Sequence, residues 1–103
     1  MAVLLAMYPH PEDAERFDRY YWDTHVPLAR KMPGLKTFEV SKGTVQAGDG
    51  SSPYYLIARL TWDSPESMQD SLNSEEGKAA GADVANFAPE GTTVLLFDEE
   101  RTL

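Results

Sequence analysis

The residues best suited to chemistry lie in one aromatic-rich stretch, residues 17–35, which reads FDRYYWDTHVPLARKMPGL. Its one histidine, His25, belongs to the residue type whose unperturbed pKa of about 6.5 allows proton transfer near neutrality. Other members of the stretch share with His25 the i, i+3, i+4, i+7 spacing of a single helical face: Phe17, Tyr20, Tyr21, Thr24 and Leu28. His25 is therefore expected on, or at the edge of, the buried side of an amphipathic helix, as a candidate catalytic acid or base.

A structural role for His25 remains open beside the catalytic one. Pro27 removes a backbone donor and disfavours helix at the residue before it, so a kink is expected there, with a short second helix over residues 28–32. His25 would then lie at a helix end. It could cap that end, or it could bond a nearby carboxylate such as Asp18.

Three aromatic residues and one cation are candidates for ligand contact. Phe17, Tyr20 and Tyr21 would form a wall suited to an apolar or aromatic ligand, with a tyrosine hydroxyl orienting an oxygen atom, although simple packing explains them as well. Arg59 points away from Leu60 within an apolar strand. It could anchor an anionic group of the ligand, but an ion pair with an acidic residue such as Asp83 is the favoured interpretation.

The sequence carries no pattern for a metal or a bound cofactor. There is no cysteine, and the second histidine, His10, lies in a Pro-His-Pro turn. The scattered glycines match neither a phosphate-binding loop nor a dinucleotide fingerprint. We therefore expect no metal and no cofactor.

Charge and length restrict the classes of partner. The 103 residues suffice for one domain, over residues 1–103, and the net charge of -8 repels nucleic acid and anionic membranes. No apolar run reaches the roughly 20 residues that span a bilayer. The composition predicts a soluble, cytoplasmic protein.

The elements predicted along the chain alternate in a β-α-β-β-α-β order. Apolar or alternating runs predict strands over residues 2–8, 35–44, 54–62 and 92–97. Helices are predicted over residues 11–24, 65–72 and 75–87, and residues 46–53 are expected to form a flexible hairpin connection. This order is typical of an α+β, ferredoxin-like fold with a four-stranded antiparallel sheet and helices on one face.

The predicted sheet has apolar residues on both of its faces. Three of its strands carry apolar residues on both sides, whereas the helices can cover only one side. A second copy of the chain is the simplest cover. We therefore expect a homodimer in which two sheets close face to face into an α/β barrel.

Residues 17–43 also resemble the signature of the EthD family, which is named for ethyl tert-butyl ether degradation. The resemblance rests on an aromatic-rich helix, a His-x-Pro-Leu segment and a Pro-Gly-Leu segment that opens the second strand: Tyr20, Tyr21, His25, Pro27, Leu28, Pro33, Gly34 and Leu35. A later segment, GADVANFAP with Asp83 and Phe87, resembles the family's final helix. The resemblance implies a dimeric α/β barrel, a group that includes cofactor-free monooxygenases, lactone isomerases, polyketide cyclases and haem-handling proteins.

Residues and resemblance together predict a small cofactor-independent enzyme acting on a hydrophobic, oxygenated and aromatic small molecule. The reaction would be oxygenation, isomerisation or cyclisation in a cleft between sheet and helices, with His25 moving a proton. Two alternatives remain open. One is a non-catalytic carrier or accessory protein of an oxidative degradation pathway, and the other is a purely structural dimer.

Overall fold

The computed structural model describes residues 1–103, and its elements follow the order expected from the sequence. They are β1 (Ala2–Pro9), α1 (Ala14–Tyr20), a π-helical turn (Tyr21–His25), α2 (Val26–Ala29), β2 (Thr37–Val40), β3 (Gln46–Ala47), β4 (Gly50–Ser51), β5 (Tyr54–Trp62), α3 (Pro65–Asn73), α4 (Glu75–Phe87) and β6 (Thr93–Asp98). The short β3 and β4 pair with each other inside the segment that was expected to be a flexible loop.

Four strands form one antiparallel sheet in the order β2-β5-β1-β6, which is the ferredoxin-like topology. The sequence-based fold prediction is therefore confirmed. In the two central strands, alternate side chains face the helices and enter the core: Ala2, Ala6, Tyr8, Leu56, Ala58, Leu60 and Trp62. The helices all lie against this one side. On the opposite side Val3 and Thr61 are buried, but Leu5, Met7 and Ile57 are only partly buried by the chain itself.

The helical stretch that carries His25 differs from the expectation in where it begins and how it turns. It starts at Ala14 rather than at residue 11, because the Asp13 side chain caps it by accepting the N–H of Arg16 at 3.1 Å. The five residues from Tyr21 to His25 form a π-helical turn, in which the N–H of Val26 reaches back to the carbonyl of Tyr21. Single π turns inside helices are often found at functional sites.

The π turn changes which residues share the buried face. The buried residues now follow one another at regular steps of four: Phe17, Tyr21, His25 and Ala29. In a helix of 3.6 residues per turn, residues four apart rotate gradually around the helix axis, and the wider π turn offsets this rotation. Thr24, which the helical spacing placed on this face, is exposed. The turn therefore brings His25 directly into line with the aromatic residues.

A register shift in the sheet redirects one tyrosine. Between Tyr8 and Pro9 the pairing of β1 with β5 slips, so that Tyr55 has no partner in the ladder. Strict alternation along β5 would put Tyr55 on the face away from the helices, but the register shift turns it towards α1. Its ring lies 5.5 Å from that of Phe17, and its hydroxyl donates to Asp18 at 2.8 and 2.9 Å.

Helices α3 and α4 approach each other closely at one glycine. A Cβ atom at Gly77 would lie 2.1 Å from the carbonyl oxygen of Ser71 and 2.8 Å from the backbone of Leu72. Such contacts with backbone atoms require a displacement of one helix. At Gly81, one turn later, a Cβ would meet nothing within 4 Å.

These two glycines predict opposite effects of the same substitution. Gly81→Ala should stabilise the fold by about 0.5–1 kcal/mol, since alanine is the better helix former and nothing obstructs it. Gly77→Ala should destabilise it by about 1–3 kcal/mol through overpacking. Urea unfolding of both variants beside the wild type measures the difference. Equal effects at the two positions would contradict the close packing of α3 on α4.

Candidate functional site

His25 is buried at the end of the π turn and is paired with a carboxylate from the far end of the chain. Its Nδ1 lies 2.9 Å from Oδ2 of Asp83, and the two residues are each 6% exposed. Asp83 belongs to α4, so the pair joins the first helical segment to the last helix. The sequence had offered Asp18 as a carboxylate for His25, but Asp18 bonds Tyr55 instead.

Asp83 is held in place by two further donors. The Tyr20 hydroxyl donates to Oδ1 at 2.5 Å, and the Asn86 amide donates to the same oxygen at 3.0 Å. Burial by itself would raise the pKa of the Asp83 carboxyl, but the hydrogen bonds from Tyr20, Asn86 and His25 outweigh burial and lower the pKa below its usual value. Asp83 is therefore ionised at neutral pH.

The ionised carboxylate determines which nitrogen of His25 carries the proton. Burial lowers the pKa of His25 below its ordinary value of 6.5, although the hydrogen bond to Asp83 and its negative charge act in the opposite direction. The imidazole is thus neutral at pH 7. Since Asp83 can only accept, Nδ1 is the donor, and Nε2 keeps its lone pair. No hydrogen bond within the protein engages Nε2, so it is available as a proton acceptor.

A cavity of about 200 Å³ lies between the sheet and the helices, and His25 forms part of its wall. Thirteen of its sixteen lining residues are hydrophobic. The space exists because small residues face each other across the two layers: Ala6 and Ala58 from the sheet, and Ala29, Gly77, Ala80 and Gly81 from the helices. An apolar wall of this kind suits an apolar ligand.

The residues on this wall that carry a polar side-chain group are His25, Tyr8 and Tyr21. Tyr21 is fully buried, and its hydroxyl has no hydrogen-bond partner in the protein. A buried donor without an acceptor costs about 1–3 kcal/mol. Burial, and then the charge of Asp83, raises the pKa of Tyr8 to about 12. Burial, and then the neighbouring Tyr8, also raises the pKa of Tyr21 above its usual value.

The residues that the sequence singled out are only partly brought together. His25 and Tyr21 line the cavity, whereas Phe17 lies behind it and stacks on Tyr21 at 5.8 Å. Tyr20 supports Asp83 and does not reach the cavity wall. Phe17 therefore contacts a residue of the cavity wall, whereas Tyr20 lies further back and acts through Asp83, which bonds His25.

Arg59 lies away from this site. It is on the face of the sheet opposite the helices, where it pairs with Glu99 and, at 3.5 Å, with Glu39. The ion pair that the sequence favoured for Arg59 is therefore present, but its partners are Glu99 and Glu39 and not Asp83, which lies on the other side of the sheet. No cation lines the cavity to hold an anionic ligand.

Sequence reasoning missed the roles of Asp83 and Tyr8 in this site. Asp83 falls on the same helical stripe as Ala80, Val84 and Phe87, and an acidic residue on an apolar stripe is a recognisable signal. Tyr8 lies near the end of β1, in which two preceding core positions, Ala2 and Ala6, are small. Neither pattern, however, indicates that Asp83 bonds His25 or that Tyr8 lines the same cavity as His25.

Two further observations concern metal ions and membranes. No group of three or more histidine, aspartate or glutamate side chains converges in a way that could ligate a metal ion. None of the helices combines the length and the apolar character that crossing a bilayer requires.

The pair of His25 and Asp83 predicts a dependence of stability on pH. The pKa of His25 is lowered in the folded state, so below pH 6.5 the unfolded chain binds the proton more readily and the free energy of unfolding falls. The lowered pKa of Asp83 extends this loss to pH values below 3.8. His25→Asn should keep a donor towards Asp83 but remove the histidine titration. In urea unfolding from pH 8 to pH 5, the wild type should therefore lose stability relative to this variant. Parallel curves would contradict the lowered pKa.

Comparison with known proteins confirms the family resemblance that the sequence indicated. The family model of the EthD domain matches residues 9–91. An uncharacterised 11.0 kDa protein in the thcB-thcC intergenic region of Rhodococcus erythropolis is 41% identical over 98 residues, which are 94% of this chain and 93% of that protein.

Solved structures share the fold. An ethyl tert-butyl ether degradation (EthD) family protein from Bacillus halodurans is 38% identical with a TM-score of 0.89, and the match covers 97% of this chain and 99% of that chain. SnoaB, a cofactor-independent oxygenase from Streptomyces nogalater, crystallised in a mutant form, is 13% identical with a TM-score of 0.64, covering 99% and 95% of the two chains. The latter likeness is one of fold alone. From the family match and the two closer relatives, this chain belongs to the EthD family.

Proposed function

We propose that this protein processes a hydrophobic, oxygen-bearing small molecule by acid–base chemistry at His25. The observation that carries the proposal is the buried pair of His25 and Asp83. Nδ1 of His25 bonds Asp83, Nε2 is free, and His25 lies on the wall of an apolar cavity. A neutral imidazole held by a carboxylate is suited to accept a proton from a bound molecule. Such a deprotonation could begin an oxygenation, an isomerisation or a cyclisation.

The surroundings of His25 support this role more than a purely structural one. A histidine with a purely structural role would use one ring nitrogen to bond Asp83. The rest of its ring would then be expected to pack against other side chains on all sides. His25 does pack on Phe87, at 4.7 Å between ring centroids, but it also borders unfilled space. The shared fold with a cofactor-independent oxygenase is compatible with chemistry that needs no bound cofactor.

A carrier role is the second candidate, and the composition of the cavity wall favours it. With thirteen hydrophobic residues among sixteen, the cavity could hold an apolar molecule without changing it. The two candidates differ in what His25 does. In an enzyme its free nitrogen is essential, whereas in a carrier only the shape of the cavity matters.

A matched set of variants should separate the enzyme from the carrier. His25→Asn should lower turnover by about 10²–10⁴-fold, because the variant cannot accept a proton, while binding persists. Ala58→Leu should abolish binding, because the larger side chain fills the space above this buried residue.

Native mass spectrometry of freshly purified protein, beside its denatured mass, would provide the bound compound for this assay. The compound is then incubated with each variant, and its conversion is followed by chromatography. Wild-type conversion that survives in His25→Asn would contradict the role of His25. Binding by both proteins with conversion by neither would favour the carrier.

We also propose that the protein is a homodimer. The edge strand β6 exposes four consecutive apolar residues, each between 43% and 48% exposed: Val94, Leu95, Leu96 and Phe97. A long apolar edge strand beside a sheet face whose residues Leu5, Met7 and Ile57 are only partly buried is a surface that promotes association. A second copy packed against this surface would bury it and would supply the cover that the sheet lacks.

Substitution within β6 tests the dimer. Leu95→Asp should convert the dimer to a monomer, because it would bury an unpaired charge in the interface. Trp22→Asp is the control, since Trp22 is also apolar and 51% exposed but lies on the helical side. Sedimentation velocity measures both. A dimer that survives Leu95→Asp, or a wild-type monomer, would contradict this surface as the interface.

A further inference from the structure

The four exposed apolar residues of β6 do not all face the same side of the sheet. Residues that lie opposite each other in an antiparallel pair share a face. Val94 is opposite Ala6, which belongs to the core, and Val94 therefore faces the helices. Leu96 shares that side by alternation, whereas Leu95 and Phe97 face the other one. A second copy on the other side accounts for Leu95 and Phe97, so the exposure of Val94 and Leu96 needs a separate explanation.

Val94 also borders the cavity that holds His25, at the end where the wall is exposed. Two residues of the wall are exposed to solvent, Gly81 of α4 and Val94 of β6. Three partly buried residues of the wall come from α4 itself and from the neighbouring β1 and α3: Val84, Leu4 and Leu72. The cavity therefore opens at the edge of the sheet, between β6 and α4, and these five residues border its mouth.

The end of the cavity at His25 is closed. Tyr21, His25 and Ala29 line it from the first helical segment, and all three are buried. His25 bonds Asp83, which lies two residues from Gly81 in α4. Two residues correspond to about 200° of rotation in an α-helix, so His25 and the mouth lie towards opposite sides of α4. A molecule that enters through the mouth therefore brings its leading end to His25.

The cavity is too small to enclose a large molecule. A dry cavity of about 150 Å³ holds one benzene molecule. The present cavity has about 200 Å³, so a ring with one oxygen atom fills most of it and any further substituent must extend into the mouth. The mouth is bordered by aliphatic residues and a glycine. An uncharged, apolar chain is the substituent that fits such a wall.

Gly81 keeps the mouth wide. Glycine within a helix is less favourable than alanine, so a helical glycine that nothing crowds needs a reason. At Gly77 the reason is the close approach of α3, but a Cβ atom at Gly81 would meet nothing within 4 Å. Space for a ligand at the mouth would supply the reason at Gly81.

A second route to the cavity would pass Phe38. This residue is the remaining partly buried member of the wall, and it lies in the edge strand β2. It also borders a surface groove together with Trp22, Val26, Arg30 and Val40. Because Phe38 lines both the groove and the cavity, its ring lies between them. At Gly81 no side chain lies between the cavity and solvent.

We propose, building on the proposed function, that the ligand enters between β6 and α4, that its oxygen-bearing end reaches His25, and that an apolar chain at its other end lies in the mouth against Gly81 and Val94. The ligand is thus a ring with an oxygen substituent at one end and a short alkyl chain at the other. Leu96 extends the same apolar surface along β6. Gly81 and Val94 then determine how long a chain the protein accepts.

The test uses 4-methylphenol and 4-butylphenol, which differ only in the length of the chain. NMR titration gives the affinity for each phenol, and intermolecular nuclear Overhauser effects give its orientation. Binding to the wild type should tighten by about two- to fourfold for each added methylene group that the mouth covers. The ring protons of 4-butylphenol should contact the methyl group of Ala29, and the end of its chain should contact the methyl groups of Val94.

A larger side chain at position 81 should obstruct the mouth alone. Gly81→Leu should weaken binding of 4-butylphenol by at least about tenfold and that of 4-methylphenol by no more than about twofold, because leucine fills the space of the chain. Gly48→Leu, in the loop between β3 and β4, is the matched control, since a Cβ there also meets nothing within 4 Å. Arg30→Trp narrows the groove at Phe38. Both controls should bind the two phenols as the wild type does.

A second variant tests the chain without adding volume. Val94→Ser, at an exposed position, should reduce the preference for 4-butylphenol over 4-methylphenol by about two- to fourfold, because it removes apolar contact with the chain. The urea midpoints of Gly81→Leu and Val94→Ser are measured beside that of the wild type. An unfolded Gly81→Leu leaves the decision to Val94→Ser.

The results separate the two proposals. Reversed contacts of the bound phenol, equal affinity for the two phenols, or an unchanged preference in Val94→Ser would overturn the mouth and its chain, while the proposed function would stand. Binding that weakens in Arg30→Trp but not in Gly81→Leu would place the entrance at Phe38 and would also overturn it. If neither phenol binds the wild type, the cavity does not take hydrophobic, oxygen-bearing molecules, and the proposed function fails as well.

Discussion

The carboxylate of Asp83 is the group on which the site depends. It accepts hydrogen bonds from Tyr20 in α1, from His25 in the π turn and from Asn86 in its own helix. An ionised carboxylate in a nearly dry position would be very costly without such donors. With them, it joins the first helical segment to α4 and fixes the orientation of the imidazole. The same interaction therefore contributes to folding and determines the protonation of His25.

The cavity follows from an uneven distribution of side-chain volume. Large aromatic residues gather behind the imidazole, with Phe87 within 6 Å of four other rings besides that of His25. Alanine and glycine occupy the facing positions in front of it. Close packing on one side makes the orientation of His25 rigid, and the missing volume on the other side leaves room for a ligand. An aliphatic core that filled this space would give the same fold without a site.

Much of the fold could be predicted because local patterns determine it. Alternation over residues 54–62 and the capping serine before residues 75–87 located β5 and α4 at the bounds that the structure has. The π turn could not be found in this way, since helical spacing assumes 3.6 residues per turn and so placed Thr24 on the buried face. The register shift beside Tyr55 likewise breaks an alternation that the sequence itself does not interrupt.

The site was harder to predict than the fold because its partners are distant in sequence. His25 was recognised from its residue type and its place on an aromatic stripe, but Asp83 is 58 residues away. Arg59 and Asp83 are opposite charges in an apolar setting, so pairing them was reasonable from the sequence alone. The sheet lies between them, and that is a property of the tertiary structure.

The protonation state of His25 can be measured directly by ¹⁵N NMR of protein with labelled histidine side chains, as a function of pH. At pH 7, Nδ1 should show the resonance of a protonated nitrogen and Nε2 that of an unprotonated one, with a midpoint of titration below 6.5. His10, which is exposed and bonds only the carbonyl of Ser52, provides an internal comparison. A protonated Nε2 at neutral pH, either as the opposite tautomer or as the imidazolium, would contradict the proposed base.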